Sequence, residues 1–231
     1  MYKGIQIVSY SLILMSTLLL STGISQESGS SVPFSVANVR FEQNATDGDV
    51  EVVFEVKGGD EGLLNLEIVT PDGRTIIDFK APDASNLGIR QFRFESPEPT
   101  DVQGMKAAYP EGVYKISGKS ASGVKFYNEV ILHHELPATT SFMAPAADAE
   151  GVNIKEQVIT WAPVKNIAAY MIYLEQEEQD LSVTAKLAGS VNQFAVPNGF
   201  LQENTEYKLG IGTVSDTGNI SFIETSFTTV E

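Results

Sequence analysis

Apolar residues recur along this chain in short runs, many alternating with polar ones, and turn-forming residues break the runs every 8 to 14 positions. After Val32 no stretch sustains the 3.6-residue apolar period of an amphipathic helix, so the pattern predicts an all-β protein. In the first half the predicted strands are Phe34 to Phe41, Val50 to Val56, Leu63 to Val69, Thr75 to Phe79, Ile89 to Phe94, Val113 to Gly118 and Val124 to His133. In the second half they are Gln157 to Trp161, Ala168 to Glu175, Leu181 to Leu187, Gln193 to Val196, Tyr207 to Thr213 and Ser221 to Thr229, with an edge strand within Thr139 to Ala146. Pro71-Asp72-Gly73 and Ser122-Gly123 supply residues that accept the positive φ of tight turns, so each predicts an antiparallel hairpin. Between Pro97 and Pro110 three prolines interrupt the rhythm, and the expectation there is a loop with at most one helical turn around Val102 to Ala108.

Seven short strands in about 94 residues match the size of an immunoglobulin-class sandwich, and the chain is long enough for two. The expected organisation is a signal segment at 1–25 and two tandem immunoglobulin-like β-sandwich domains, 32–137 and 138–231. The signal reading rests on Lys3, the apolar run Ile5 to Leu20 and the small residues Ser21-Thr22-Gly23-Ile24-Ser25, the order of an export signal that is cleaved. A retained membrane anchor is the alternative, although 16 residues lie near the lower limit for crossing a bilayer. Cleavage implies a protein released to a periplasm or to the medium, without stable membrane insertion.

The chain has no cysteine, which excludes disulfides and thiolate metal sites and leaves packing alone to hold the sandwiches. An exported sandwich of this kind without disulfides points to a bacterial source. The formal net charge is -15, spread evenly: residues 26–137 carry 18 acids against 10 bases, and residues 138–231 carry 12 against 4. A surface so uniformly acidic repels phosphates, so nucleic acid is excluded as a partner.

Three segments of the second half carry a resemblance. Val158-Ile159-Thr160-Trp161-Ala162-Pro163-Val164, Ala169-Tyr170-Met171-Ile172-Tyr173-Leu174, and Leu201 to Tyr207 with Lys208-Leu209-Gly210-Ile211 are similar to the second strand, third strand and tyrosine corner of the fibronectin type III domain family. The departure is Gln202-Glu203-Asn204, where that family often has proline and glycine. The resemblance implies a sandwich in which Trp161, Tyr170 and Tyr207 are structural, and a spacer or binding role, but no particular partner. The hairpins around Pro71-Asp72-Gly73 and Ser122-Gly123 in the first half resemble bacterial immunoglobulin-like ectodomain modules.

Catalytic chemistry has little to draw on. His133 and His134 are the only histidines, and as neighbours in a strand they face opposite ways, one toward the junction and one toward solvent. Gly118-Lys119-Ser120-Ala121-Ser122-Gly123 lacks the spacing of a phosphate loop and reads as a hairpin. Two acidic groups are calcium candidates: Asn44, Asp47, Asp49 and Glu51, and Glu175, Glu177, Glu178 and Asp180. Neither has the alternating register of the best-known calcium loop, and solvated turn carboxylates are the simpler account. Loop aromatics Tyr109 and Phe200 are the binding candidates. The expectation is therefore an exported, non-enzymatic interaction or scaffold protein with no cofactor, binding a protein or cell-envelope component. A carbohydrate-binding or accessory module is the first alternative. A hydrolase using paired carboxylates is the second, and it demands a desolvated acid pair in a cleft.

Overall fold

A computed structural model describes residues 30–60, 62–81, 89–98, 101–155 and 158–230; the export signal read at 1–25 lies outside them. The first half forms β1 (Val36–Asn44), β2 (Asp49–Lys57), β3 (Leu63–Val69), β4 (Thr75–Lys80), β5 (Gln91–Glu95), α1 (Val102–Ala108), β6 (Gly112–Ser120) and β7 (Lys125–Leu132). The second half forms β8 (Phe142–Ala144), β9 (Ala149–Asn153), β10 (Val158–Trp161), β11 (Ala169–Gln176), β12 (Leu181–Ala188), β13 (Gln193–Ala195), β14 (Glu206–Val214) and β15 (Ile220–Val230).

The alternation read in the sequence becomes burial in the structure. Leu63, Leu66 and Ile68 of β3 point inward while Asn65 and Glu67 intervene. Thr70 and Arg74 close the β3–β4 turn through a backbone bond of 2.9 Å, with Gly73 at φ +86°. Both predicted hairpins, β3–β4 and β6–β7, are antiparallel pairs. At the start of α1 the Asp101 carboxylate accepts from the Gly104 N–H at 3.0 Å, a cap that lets seven residues hold helical form where proline-rich chain surrounds them.

In the first sandwich β1-β2-β5 faces β4-β3-β6-β7, closing on Phe41, Phe54, Leu66, Ile68, Tyr114 and Ile116. In the second, β13-β10-β8 faces β12-β11-β14-β15 around Trp161, Tyr170, Ile172, Leu209 and Phe227. The rings of Trp161 and Tyr170 lie 5.1 Å apart and both residues are fully buried, as the family resemblance implies. The Tyr207 hydroxyl donates to the Phe200 carbonyl at 3.0 Å and accepts from the Gln202 N–H at 2.8 Å. The first sandwich has the same device, which the sequence reading missed: buried Tyr114 opens β6 and donates to the Pro110 carbonyl at 3.0 Å. The shared signal was Tyr114-Lys115-Ile116 against Tyr207-Lys208-Leu209, one aromatic at the head of each corresponding strand.

Two features depart from expectation. The second half has eight strands among the described residues rather than seven, because β9 follows the edge strand β8 and pairs in parallel with the end of β15. The sandwiches are also not strung on a simple linker. β15 gives one whole edge to β14, and the opposite edge is shared: β9 takes its last residues, and β1 of the first sandwich takes its first, with Glu42, Gln43 and Asn44 in parallel register with Ile220, Ser221 and Phe222. One sheet, β12-β11-β14-β15-β1-β2-β5, therefore runs through both sandwiches.

Candidate functional site

Asn219 locks the joint between the sandwiches. Its buried side-chain amide donates to the carbonyls of His133 and Glu135, each at 2.8 Å, and its oxygen accepts from the Phe41 N–H at 2.8 Å. Nearby, the Thr46 hydroxyl and the Glu224 backbone bond in both directions, and the Asn44 amide donates to the Glu224 carboxylate at 3.0 Å.

The shared sheet has an outer face that neither opposing sheet covers. Strand alternation puts Thr184 and Lys186 of β12, Met171 and Tyr173 of β11, Gly210 and Gly212 of β14, Ile220, Phe222 and Glu224 of β15, Arg40, Glu42 and Asn44 of β1, Glu51, Val53 and Glu55 of β2, and Arg93 and Glu95 of β5 on that face. If the sheet were flat, β12 and β2 would stand roughly 24 Å apart, five strand spacings. Instead Thr184, Tyr173, Glu51 and Glu98 line one cavity of about 450 Å³. A second cavity of about 370 Å³ is lined by Lys186, Met171, Arg93 and Glu55. Met171 belongs to both, so the curled sheet forms a groove across the joint. The glycines allow the curl: a Cβ on Gly212 would sit 2.7 Å from the Phe222 ring. Val53, Val214 and Ile220 are consequently buried although they point outward from the sandwiches.

The walls are mostly acidic. Eight carboxyl groups line or border the groove (Glu42, Asp47, Asp49, Glu51, Glu55, Glu95, Glu98, Glu224), against Arg40, Arg93 and Lys186. At one end the charges neutralise one another: Arg40 bonds Glu42 and, at 2.8 Å, Glu55, while Arg93 pairs with Glu95 and, at 3.4 Å, with Glu55. Toward the other end acid faces acid, and Glu42 stands at the boundary. The β1–β2 register sets Glu42 directly opposite Glu51, within hydrogen-bonding reach of it, and Glu42 is only 8% exposed. Desolvation, followed by repulsion from Glu42, Glu95 and Glu98, pushes Glu51 up to about 8. Among the described residues its Oε2 is sealed from solvent without a donor. A carboxylate has no proton to donate to another, so the crowding favours the protonated form of Glu51. Burial, followed by repulsion from Asp47, raises Asp49 as well.

The candidates named from the sequence fall in different places. Asn44, Asp47, Asp49 and Glu51 lie together at the acidic end of the groove, where Asp47 accepts from the Asn44 amide at 3.2 Å. Glu175, Glu177, Glu178 and Asp180 surround the β11–β12 turn on a separate surface, with Glu177 paired to Lys208 and Asp180 left-handed at φ +53°. Among the described residues no group of three histidines and acids is arranged to hold a metal ion. Tyr109 packs 6.4 Å from the Phe54 ring, and Phe200 lies 5.9 Å from Tyr207 within the corner, so both rings already have partners in the cores. β7 ends at Leu132, ahead of both histidines. His133 is exposed; the His134 ring rests 5.3 Å from Phe41 and meets the Tyr109 carbonyl at 2.7 Å. Glu42, Glu98 and Glu224 were not singled out, yet the hairpin register alone places Glu42 beside Glu51.

No helix among the described residues is long and apolar enough to cross a membrane. No family model matches the chain, and no curated protein matches it. Fibronectin type III domains are among the solved structures that it resembles. The fibronectin(III)-like modules of Clostridium thermocellum CbhA align with 85% of this chain and 91% of theirs, at 12% identity and a TM-score of 0.35. A two-domain fibronectin type III segment of chicken tenascin aligns over 84% and 98%, at 12% identity and a TM-score of 0.31. The FN1-FN3 domains of chicken CNTN1 align over 85% and 67%, at 10% identity and a TM-score of 0.32.

Proposed function

We propose that this chain is an exported, non-enzymatic interaction or scaffold protein that holds a protein or cell-envelope partner in the groove across its two sandwiches, in the periplasm or outside the cell. The observation that carries the reading is the shared sheet. Direct β1–β15 pairing, with Asn219 bonded to three backbone groups of the other half, fixes the two sandwiches as one body and the groove as a preformed surface. A rigid concave face built from both halves suits recognition, because little ordering cost is left to meet on binding.

Position-dependent photocrosslinking in native envelopes tests the reading. A crosslinker at Thr184 or Glu98, on the groove walls, is expected to capture the same partner, and one at exposed Lys125, on β7 of the opposite sheet, is expected to capture none. Equal capture from all three sites, or none, rejects it. A second reading, hydrolysis through paired carboxylates, has one observation in its favour: Glu42 and Glu51 face each other in a cleft, with Glu51 raised by burial and repulsion. Turnover of a glycoside or peptide panel that Glu51→Gln abolishes would establish it.

A further inference from the structure

The acidic end of the groove has an electrostatic demand that the folded chain meets only with a proton. Glu42 and Glu51 face each other across β1 and β2; Glu95 comes from β5, Glu98 from the segment after it, Asp49 from β2, Asp47 from the β1–β2 turn and Glu224 from β15. Arg40 is the cation bonded to Glu42, and it is shared with Glu55. Beside these acids lie Met171, Phe222 and the ring of Tyr173, an apolar floor on an outer sheet face where polar side chains are the rule. The combination fits an ammonium or guanidinium on a hydrocarbon stem, which places its charge among carboxylates and its methylenes on apolar surface. A calcium ion fits less well: it requires six or more oxygens closing around one point, and among the described residues no three acids are arranged to hold a metal ion.

We propose that the groove seats a lysine or arginine side chain of an extended segment of a partner polypeptide, with its cation set beside the facing carboxyls of Glu42 and Glu51. This deepens the interaction reading above and rests on it. The exchange balances in charge, since one cation enters and one proton leaves to solvent. Affinity therefore rises with pH until Glu51 is ionised without help, near 8, and levels off above that.

Titration calorimetry with the folded mature chain tests the proposal, using a capped peptide of alternating lysine and leucine and a matched peptide with glutamate for lysine. Measured near pH 6 in two buffers of different ionisation enthalpy, binding of the lysine peptide is expected to release about one proton, and near pH 9 to be about a hundredfold tighter with none released. Glu51→Gln is expected to weaken binding about tenfold and to abolish the release, whereas Glu98→Gln weakens binding and keeps it. Glu150→Gln, on an exposed strand away from the groove, controls for loss of net charge. Failure of the lysine peptide to bind at about 1 mM, equal binding of both peptides, or proton release that survives Glu51→Gln overturns the proposal. Spermidine binding with proton release while the peptide does not bind would assign the site to a free amine and equally overturn it. Groove-specific crosslinking to a partner that presents no basic segment would sink this inference and leave the scaffold reading standing.

Discussion

Replacing Glu51 by glutamine should make the protein more stable, and only at neutral to alkaline pH. The folded chain holds Glu51 up to about 8, while in the unfolded chain it titrates near 4.5. A carboxyl raised in this way contributes its full stability below the unfolded value, and loses it as pH climbs from there through the folded one. The whole interval corresponds to about 5 kcal/mol. The cleft is open to water on one side, so screening reduces the realisable penalty to about 2 kcal/mol. Glutamine keeps the shape, supplies an N–H to Glu42 and has no proton to lose. The melting temperature of Glu51→Gln should thus equal that of the parent near pH 4.5 and exceed it by about 4–8 °C near pH 8.5. Thermal melts by circular dichroism across that range give the comparison. A gain of the same size at every pH, or a loss near pH 8.5, would refute the argument that burial and carboxylate repulsion set this site.

Four further substitutions probe the joint, the corners and the groove floor. Asn219→Ala removes a buried amide serving three backbone groups and should cost about 2–4 kcal/mol in denaturant unfolding, with a larger radius of gyration in solution scattering as the sandwiches part. Tyr207→Phe should cost about 1–2 kcal/mol, and more than Tyr114→Phe, because it strips the Gln202 N–H of its acceptor as well as the Phe200 carbonyl of its donor; the two losses should add, since the rings sit in separate cores. Gly212→Ala should cost about 1–3 kcal/mol, because the new methyl meets the Phe222 ring at 2.7 Å, and a shift in aromatic methyl-contact signals of Phe222 by nuclear magnetic resonance would report the displaced floor.

Local chemistry was legible in the sequence and long-range pairing was not. Leu63–Val69 and Thr75–Lys80 form where alternation and Pro71-Asp72-Gly73 predicted a hairpin, because neighbouring residues fix both strands and turn. The tryptophan strand and the Tyr207 corner followed from a resemblance carried by a few large side chains whose burial dictates the spacing between them. β9 escaped because Ala149-Glu150-Gly151-Val152-Asn153 has little apolar character and forms only when the end of β15 offers it an edge. The groove lay half in view. Asp47, Asp49 and Glu51 were singled out as a turn cluster, and with Asn44 opposite Asp49 the hairpin register fixes Glu42 opposite Glu51. What no local reading supplies is the other wall, since Met171, Tyr173 and Thr184 reach those acids only through the pairing of β1 with a strand some 178 residues away.

That pairing also dictates an order of events. The edge of β1 at Glu42, Gln43 and Asn44 has no ladder partner until Ile220, Ser221 and Phe222 have emerged and β14–β15 has formed. An N-terminal sandwich released early would carry an open strand edge, the kind of surface on which chains stick to one another. Loop closure over so long a separation carries an entropy cost that the local hairpins escape, so the groove has both its walls only once the final strand has paired with the first.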